Sequence, residues 1–278
     1  ATMPIRMIDI WRISEEYDRR FSEGGFRETD GFYRWVLKRL SPLPGRSILD
    51  VSCGEGHLLR WAAQLYGMDG WGVDISSVAL RIARQNVPQA KLVRCDGINL
   101  PFPDNSFHYI ANIGSLEHYT NISQGVKEIA RVLKPGGKVA ILLPYSYYLA
   151  DIIWLVWRTG YGPSHQQTLE RFATVGEWKE ILEEGGIEVV RTHRYNFCFP
   201  KSKSDWYWYR KRPSRLLKLL FSLFVPFNLS YAFLFIGEKK APIQTPFEQP
   251  VFRSLFPELG VGSVSIPIMW CSTFVLVR

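Results

Sequence analysis

The sequence has few of the features that mark secreted, metal-bound or membrane-spanning proteins. Its 4 cysteines lie far apart and form no CxxC pair. Neither a disulfide scaffold nor a zinc ribbon is therefore expected, and no metal site is predicted. The first nine residues lack the apolar core of a signal peptide. No stretch of about 20 residues is cleanly apolar, since even 216–237 contains Lys218 and Pro226. These absences predict a cytoplasmic protein without a membrane span.

The charge is concentrated in one late segment. Apolar residues make up 46% of the 278-residue chain and charged residues 22%, as in an ordinary globular protein. The net charge is +8, yet segment 201–240 alone holds nine basic and two acidic residues. Any affinity for an acidic partner should therefore reside in this segment.

Short apolar strands alternate with helices between residues 47 and 143. We predict strands at 47–51, 70–74, 91–95, 107–113 and 138–143, with helices at 58–66, 76–85 and 123–133. Such alternation indicates a parallel sheet covered on both faces, a Rossmann-like doubly wound α/β fold. Ligands of such sheets bind at the carboxyl ends of the strands. Further predicted elements are helices within 10–40, a helix at 175–184 and strands at 187–193 and 231–236.

A glycine loop follows the first predicted strand. Gly54 and Gly56 open the next helix, and Asp74 ends the second strand 20 residues after Gly54, where an acid can bind a ribose diol. The loop also carries Asp50 and Glu55, which would repel the phosphates that a dinucleotide loop binds at a helix N-terminus. Neither a complete GxGxxG nor a GxxxxGK[ST] motif occurs. These features favour a nucleoside with positive charge and no phosphate, such as S-adenosylmethionine (SAM).

Five motifs follow one another between about residues 45 and 145. They are ILDVSCGEGH at 48–57, GVDI at 72–75, CDG at 95–97 with LPFPDNSF at 100–107, SLEH at 115–118 and VLKPGG at 132–137. In order and spacing they resemble the motifs of class I SAM-dependent methyltransferases, in particular the type 11 small-molecule branch. The resemblance implies a seven-stranded sheet whose last strand is antiparallel, and an enzyme that converts SAM to S-adenosylhomocysteine.

The resemblance also implies roles for residues at the strand ends. The methionine part of SAM would lie against the glycine loop, the ribose at the end of the second strand and the adenine at the end of the third. The implied cofactor-binding residues are Asp50, Ser52, Gly54, Glu55, Gly56, Asp74, Ile75, Asp96, Gly97, Asn112 and Ile113. Ser52 stands where the family usually has glycine, so the turn must accommodate a Cβ atom.

The acceptor side of the site is less defined by motifs. His118 follows the fourth strand, where the methyl group should point, and is our candidate for a general base. A hydrogen-bonded wall residue is the alternative role for His118. Glu117, Tyr119, Tyr145 and Tyr148 are candidate substrate contacts.

Segment 206–227 combines aromatic, basic and apolar residues. One interpretation is a helix in a membrane interface with its basic residues toward anionic headgroups. A second is a lid helix that buries Leu216, Leu217, Leu219, Leu220 and Phe224 on the domain. A third is RNA binding.

We predict one SAM-dependent methyltransferase domain over 1–240. Its core would comprise about 45–145, 174–195 and 230–239, with a basic, aromatic insertion or lid at 196–229 and an extension of unassigned role at 241–278. The predicted function is methyl transfer to a small or lipid-like acceptor, with peripheral contact at the inner membrane face through 206–227. Two alternatives stay open: an RNA methyltransferase using segment 201–218, and a non-catalytic, membrane-associated binding subunit with a SAM fold.

Overall fold

Seven strands form one mixed sheet in a computed structural model that describes residues 10–162 and 169–240. The strands are β1 (Ser47–Val51), β2 (Asp69–Asp74), β3 (Lys91–Arg94), β4 (Phe107–Ile113), β5 (Leu133–Pro144), β6 (Ile187–Tyr195) and β7 (Ala232–Lys239). Their order is β3-β2-β1-β4-β5-β7-β6. Strand β7 runs antiparallel to both of its neighbours, and the pairs from β3 to β5 are parallel. The predicted α/β fold with an antiparallel last strand is thus confirmed.

Helices cover both faces of the sheet. They are α1 (Ile10–Ser22), α2 (Asp30–Leu40), α3 (His57–Tyr66), α4 (Ser77–Asn86), α5 (Ile122–Val132), α6 (Leu149–Asp151), α7 (Trp157–Thr159), α8 (Val175–Glu184), α9 (Lys203–Arg210) and α10 (Pro213–Phe221). One apolar core joins α2, α3, α9 and α10 to the sheet, and a second joins α5 and α8 to its other face. Among the described helices, none has the length and apolar character needed to cross a bilayer.

Local sequence signals explain most of the element boundaries. Thr29 and Ser76 cap α2 and α4 by accepting hydrogen bonds from backbone N–H groups of the first turn. Thr174 and Glu177 form a reciprocal capping box at the start of α8. Strands β1 and β4 and helix α8 have the predicted bounds.

The start of β5 is an error of the sequence prediction. We expected the preceding helix to continue to Leu133 and the strand to begin at Lys138. The helix ends at Val132 and Leu133 is already extended, with φ −74° and ψ 133°. Leu133 pairs with Phe107 through an irregular register of β4 and β5. The Pro-Gly-Gly sequence after Lys134 therefore lies within a long strand instead of separating a helix from a strand.

The insertion between β6 and β7 packs only partly on the domain. Trp208 donates a hydrogen bond from Nε1 to the carbonyl oxygen of Arg27 at 2.8 Å, and Leu219 is buried. Leu217 and Leu220 remain 66% and 52% exposed, and Phe224 is 78% exposed. The interpretation of a lid that buries all of these leucines is therefore wrong. The extension predicted at 241–278 lies outside the described residues.

Candidate active site

A cavity of about 460 Å³ opens at the carboxyl ends of the parallel strands. Of the residues predicted from the sequence, twelve line it: Asp50, Ser52, Gly54, Glu55, Asp74, Ile75, Asp96, Gly97, Ile113, Glu117, His118 and Tyr119. Four others, Gly56, Asn112, Tyr145 and Tyr148, are not part of the lining. The fold thus gathers residues from the ends of four neighbouring strands at one edge, as a doubly wound sheet requires.

The glycine loop between β1 and α3 turns through left-handed backbone conformations. Ser52, Gly54 and Gly56 have φ values of 63°, 50° and 75°. Ser52 carries a Cβ atom in this region, which costs conformational energy that glycine would avoid. Its Oγ lies 2.9 Å from the hydroxyl of Tyr119, and this hydrogen bond helps to hold the turn. A Cβ atom on Gly56 would lie 2.9 Å from Val87 Cγ1, so Gly56 serves the packing of the loop on α4.

Two buried carboxyl groups, those of Asp50 and Asp74, face the same cavity. Asp74 accepts hydrogen bonds from the backbone N–H groups of Gly54 at 2.8 Å and Ser76 at 2.9 Å. Burial raises the pKa of Asp74 to about 6. Burial and the nearby charge of Asp74 raise the pKa of Asp50 well above its usual range, and within the described part of the chain no basic side chain opposes this rise. A cationic ligand would relieve the repulsion, so this pair suits the sulfonium and ammonium groups of SAM.

The turn after β3 combines an acceptor with a tight packing constraint. Asp96 lines the cavity and its Oδ1 accepts a hydrogen bond from the backbone of Ile98 at 3.2 Å. A Cβ atom on Gly97 would lie only 2.1 Å from the Tyr119 hydroxyl oxygen. Glycine is therefore required at this position for the tyrosine to reach the glycine loop.

Asn112 and Tyr119 form a buried network that holds the loops together. The amide nitrogen of Asn112 donates to the carbonyl oxygen of Val51 at 3.2 Å and to the Tyr119 hydroxyl at 3.1 Å. Its amide oxygen accepts from the backbone N–H of Leu116 at 3.1 Å. Asn112 is fully buried and its side chain positions the ends of β1 and β4 from behind the cavity.

Glu117 and His118 line the cavity in the short helical turn that follows β4. Nε2 of His118 lies 3.6 Å from Oε1 of Glu117. Nδ1 of His118 lies 2.5 Å from the carbonyl oxygen of Leu169. Because a carbonyl only accepts, Nδ1 carries the proton of the neutral ring and Nε2 is then the basic nitrogen.

The carboxyl group of Glu117 is buried in the cavity wall. Its Oε2 is buried without a hydrogen-bond partner among the described residues. Burial, assisted by the charge of Glu170, raises the pKa of Glu117 to about 8. At neutral pH the carboxyl group is therefore mostly protonated, and it can donate a hydrogen bond into the cavity.

Tyr145 and Tyr148 pack beside the cavity. The ring of Tyr145 lies edge-on to Phe233 at a centroid distance of 5.3 Å, and that of Tyr148 is edge-on to Tyr231 at 5.3 Å. Tyr231 lines the cavity, so Tyr148 supports a lining residue. Our expectation of direct substrate contact through these two tyrosines receives no support from their positions.

Several lining residues were not singled out by the sequence analysis. They are contributed by the α1–α2 region, by the end of β6, and by the insertion and the start of β7. Among them are Tyr17, Phe21, Phe26, Glu28, Tyr195, Trp208, Arg212, Arg215 and Tyr231. The aromatic and basic composition of 206–215 was the one signal that could have indicated part of this set.

Comparisons with known proteins agree on the family. Residues 49–141 match a family model described as a methyltransferase domain. A demethylmenaquinone methyltransferase of Listeria welshimeri is 33% identical over 203 residues, which cover 65% of this chain and 86% of that relative. Another of that name, from Anoxybacillus flavithermus, is 27% identical over 209 residues, covering 67% and 88%.

Solved structures agree on the fold. The chain resembles Haemonchus contortus phosphoethanolamine N-methyltransferase 2 in complex with phosphomonomethylethanolamine and S-adenosylhomocysteine. The TM-score is 0.58 and the identity 20%, with 86% of this chain and 61% of that chain covered. It also resembles a structure described as the complex of the Haloferax volcanii Trm112 methyltransferase activator with a methyltransferase. There the TM-score is 0.59 and the identity 18%, covering 84% and 100%.

These comparisons and the acidic, glycine-rich cavity point to the same cofactor and the same reaction. The likeness to curated relatives extends well beyond the motif region, over about two thirds of the chain. The chain belongs to the type 11 branch of the class I SAM-dependent methyltransferases and is an enzyme that methylates small molecules with SAM.

Proposed function

We propose that the enzyme transfers the methyl group of SAM to a lipid-like acceptor that it reaches at an anionic membrane surface. The observation that carries this proposal concerns helix α10. Arg212, just before its first turn, and Arg215 line the cavity, while Leu217 and Leu220 of the same helix face solvent. The helix therefore connects the reaction site directly with an exposed apolar surface.

That surface, which we call the apolar face, is built from two segments that contact each other. Lys218 of α10 forms an ion pair with Asp151 at 2.9 Å, and the rings of Trp154 and Phe221 lie 5.1 Å apart. Its exposed apolar members are Ile153, Trp154, Val156, Trp157, Tyr161, Leu217, Leu220, Leu223, Phe224 and Phe227. An exposed apolar surface of this extent is typical of a protein or membrane contact.

Exposed basic residues lie on α7, within the apolar face, and around α9, the helix that precedes α10 in the chain. They are Arg158 on α7 and Lys201, Lys203, Arg210 and Lys211 around α9. Basic residues near an anionic bilayer contribute about 1 kcal/mol each. Aromatic and leucine side chains beside them can insert at the headgroup boundary. This combination favours an anionic membrane as the partner.

We further propose the following placement of SAM. The methionine part would lie against Asp50 and the loop of Ser52, Gly54, Glu55 and Gly56. The ribose would bind Asp74, and the adenine would pack on Ile75 near Asp96 and Gly97, with Asn112 and Ile113 closing the amine end. The two buried carboxyl groups, which have no basic partner among residues 10–162 and 169–240, support this polarity.

SAM supplies, when bound, an electrophilic methyl group on its sulfonium. The chain orients the acceptor toward it, and alignment of this kind can lower a barrier by about 7–11 kcal/mol. Nε2 of His118 would accept a proton from the acceptor. The protonated carboxyl group of Glu117 would donate a hydrogen bond to the acceptor. Phe21 and Phe26, whose rings pack at 5.4 Å, line the cavity and would shield the reacting atoms from water.

Labelled substrate tests the acceptor class. The enzyme is incubated with methyl-tritiated SAM and, separately, a total lipid extract, demethylmenaquinone (the molecule in the relatives' names) and total RNA. We expect label to pass into the organic phase in at least one of the two incubations with a lipid-like acceptor. Transfer to RNA alone would contradict the proposal, and so would the absence of any enzyme-dependent organic-phase label.

Membrane contact has its own test. The double substitution Leu223→Ser and Phe224→Ser should weaken binding to vesicles rich in phosphatidylglycerol at least tenfold, because each buried large side chain contributes about 1.5–3 kcal/mol. Co-sedimentation with vesicles at two ionic strengths measures the effect. Leu43→Ser is the matched control, since Leu43 is 60% exposed but precedes β1. Equal binding by the double variant and the native enzyme would remove the membrane from the proposal.

A further inference from the structure

We propose that the cavity contains a subsite for an anionic oxygen group of the acceptor, formed by the guanidinium groups of Arg212 and Arg215. The ligand chemistry is that of a carboxylate or a phosphate ester. This inference rests on the proposed function in one respect, because it takes the acceptor to be the molecule that fills this part of the cavity. Both arginines line the cavity.

Arg215 lies beside two aromatic rings at the cavity wall. Its Cζ lies 4.9 Å from the ring centroid of Phe197 and 5.2 Å from that of Tyr231. The two ring centroids are themselves 4.9 Å apart, so the guanidinium lies beside both rings and not between them, and it also interacts with the Tyr231 side chain. Nη1 of Arg215 is buried and has no hydrogen-bond partner among the described residues. A buried donor of this kind is costly unless a ligand satisfies it.

Arg212 and Glu28 complete the environment. Cζ of Arg212 lies 4.7 Å from the ring centroid of Trp208. Glu28 also lines the cavity, and its Oε2 is buried without a hydrogen-bond partner among the described residues. Burial raises the pKa of Glu28 to about 7, against the opposing charges of Arg215 and Arg212. Near neutral pH, two permanent positive charges therefore face one carboxyl group that is only partly ionised.

The sheet order gives the spacing of the strand ends beside which this subsite and Glu117 lie. Glu117 follows β4, whereas Tyr231, beside which Arg215 lies, immediately precedes β7 at the same edge. Strand β5 lies between them, so the separation is two strand spacings, or about 10 Å. The acceptor should therefore carry its anionic group about 10 Å from the atom that receives the methyl group. Tyr195, Trp208 and Tyr231 provide an apolar surface beside the subsite.

Calorimetric titration of the enzyme saturated with S-adenosylhomocysteine tests the subsite. The probes are a 2-naphthyl alkyl carboxylate, its neutral methyl ester and the corresponding naphthyl alkyl phosphate. Charge-assisted, bidentate hydrogen bonds should make the carboxylate or the phosphate bind at least about tenfold tighter than the ester. The two anionic arms distinguish a carboxylate acceptor from a phosphate ester. Equal affinity for ester and anions, or binding of no probe below 1 mM at about pH 7, would overturn the proposal.

Variants assign the preference to these arginines. Arg215→Met should abolish the preference for anions, while Arg215→Lys should retain part of it. Glu28→Gln should strengthen anion binding because a competing negative charge is removed. Arg34→Met is the matched control, since Arg34 stacks on Trp61 at 5.2 Å and does not line the cavity. Should Arg215→Met not fold, the Arg212→Met variant and the Glu28→Gln titration still decide the matter.

Two outcomes distinguish an acceptor subsite from a cofactor-binding role of the arginines and from the proposed lipid-like acceptor. If Arg215→Met lowers the affinity for S-adenosylhomocysteine more than about tenfold, the arginines serve the cofactor's own carboxylate and the acceptor subsite is wrong. If the anion preference is present but the enzyme neither binds vesicles nor labels a lipid, the subsite stands and the lipid-like acceptor is wrong.

Discussion

Replacement of Asp74 by alanine should lower the affinity for SAM at least about 100-fold. The variant loses a negative charge in the cavity together with the acceptor for the backbone N–H groups of Gly54 and Ser76. In the proposed placement the ribose hydroxyls also donate to Asp74, and each such charge-assisted hydrogen bond contributes about 1.5–3 kcal/mol, whereas a factor of 100 corresponds to about 2.7 kcal/mol. Calorimetric titration with SAM measures the loss.

Two further variants separate charge from geometry at this position. Asp74→Asn keeps the size of the side chain and one accepting oxygen, so it should lose affinity mainly through the missing charge. Asp69→Asn is the control, since Asp69 lies at the other end of β2 and pairs with Lys91 on the surface. Unchanged SAM affinity in Asp74→Ala would show that the cofactor lies elsewhere in the cavity.

The largest effect on turnover is expected for His118→Ala. Removal of a general base slows a reaction by about 100-fold to 10,000-fold. In the proposed placement His118 faces the acceptor and not SAM, so SAM affinity should change less than about twofold. Release of S-adenosylhomocysteine, measured with the active acceptor fraction, gives the first quantity, and titration with SAM gives the second.

His118→Gln distinguishes a base from a wall residue. Glutamine can still donate a hydrogen bond to the carbonyl oxygen of Leu169, which His118 contacts through Nδ1. A wall residue would therefore be rescued by glutamine, whereas a base would not. Recovery of more than half of the native turnover in His118→Gln would exclude general-base catalysis by this residue.

The cavity lining at the ends of β1 to β4 could be predicted because its residues sit in short, local motifs. Asp50, Ser52 and Gly54 belong to one strand and the loop after it, and Asp74 ends the next strand. Once the strands are parallel and adjacent, their carboxyl ends meet without further information. The bounds of β1 and β4 could also be predicted, because buried apolar runs flanked by turn residues define them.

The acceptor side could not be predicted in the same way. Glu28, Tyr195 and Arg215 are far apart in sequence and meet only because β6 and β7 lie at the end of the sheet order. The leucines of α10 are a second example of a feature that the sequence does not determine. Their helical spacing indicates an apolar face, but the sequence does not say whether the domain or a partner covers it. In the fold, Leu219 is buried whereas Leu217 and Leu220 are exposed.

SAM binding should depend on buried carboxylates that balance the positive charge of the cofactor. Calorimetric titration with SAM and with NAD at pH 8 and pH 5 measures this dependence. The pKa of Asp74 is raised to about 6, and that of Asp50 is also raised, so both are more protonated at pH 5. We expect micromolar SAM binding and no NAD binding at pH 8, with SAM affinity at least tenfold lower at pH 5. Binding of NAD, or SAM affinity that does not fall at pH 5, would show that these buried carboxylates do not select SAM.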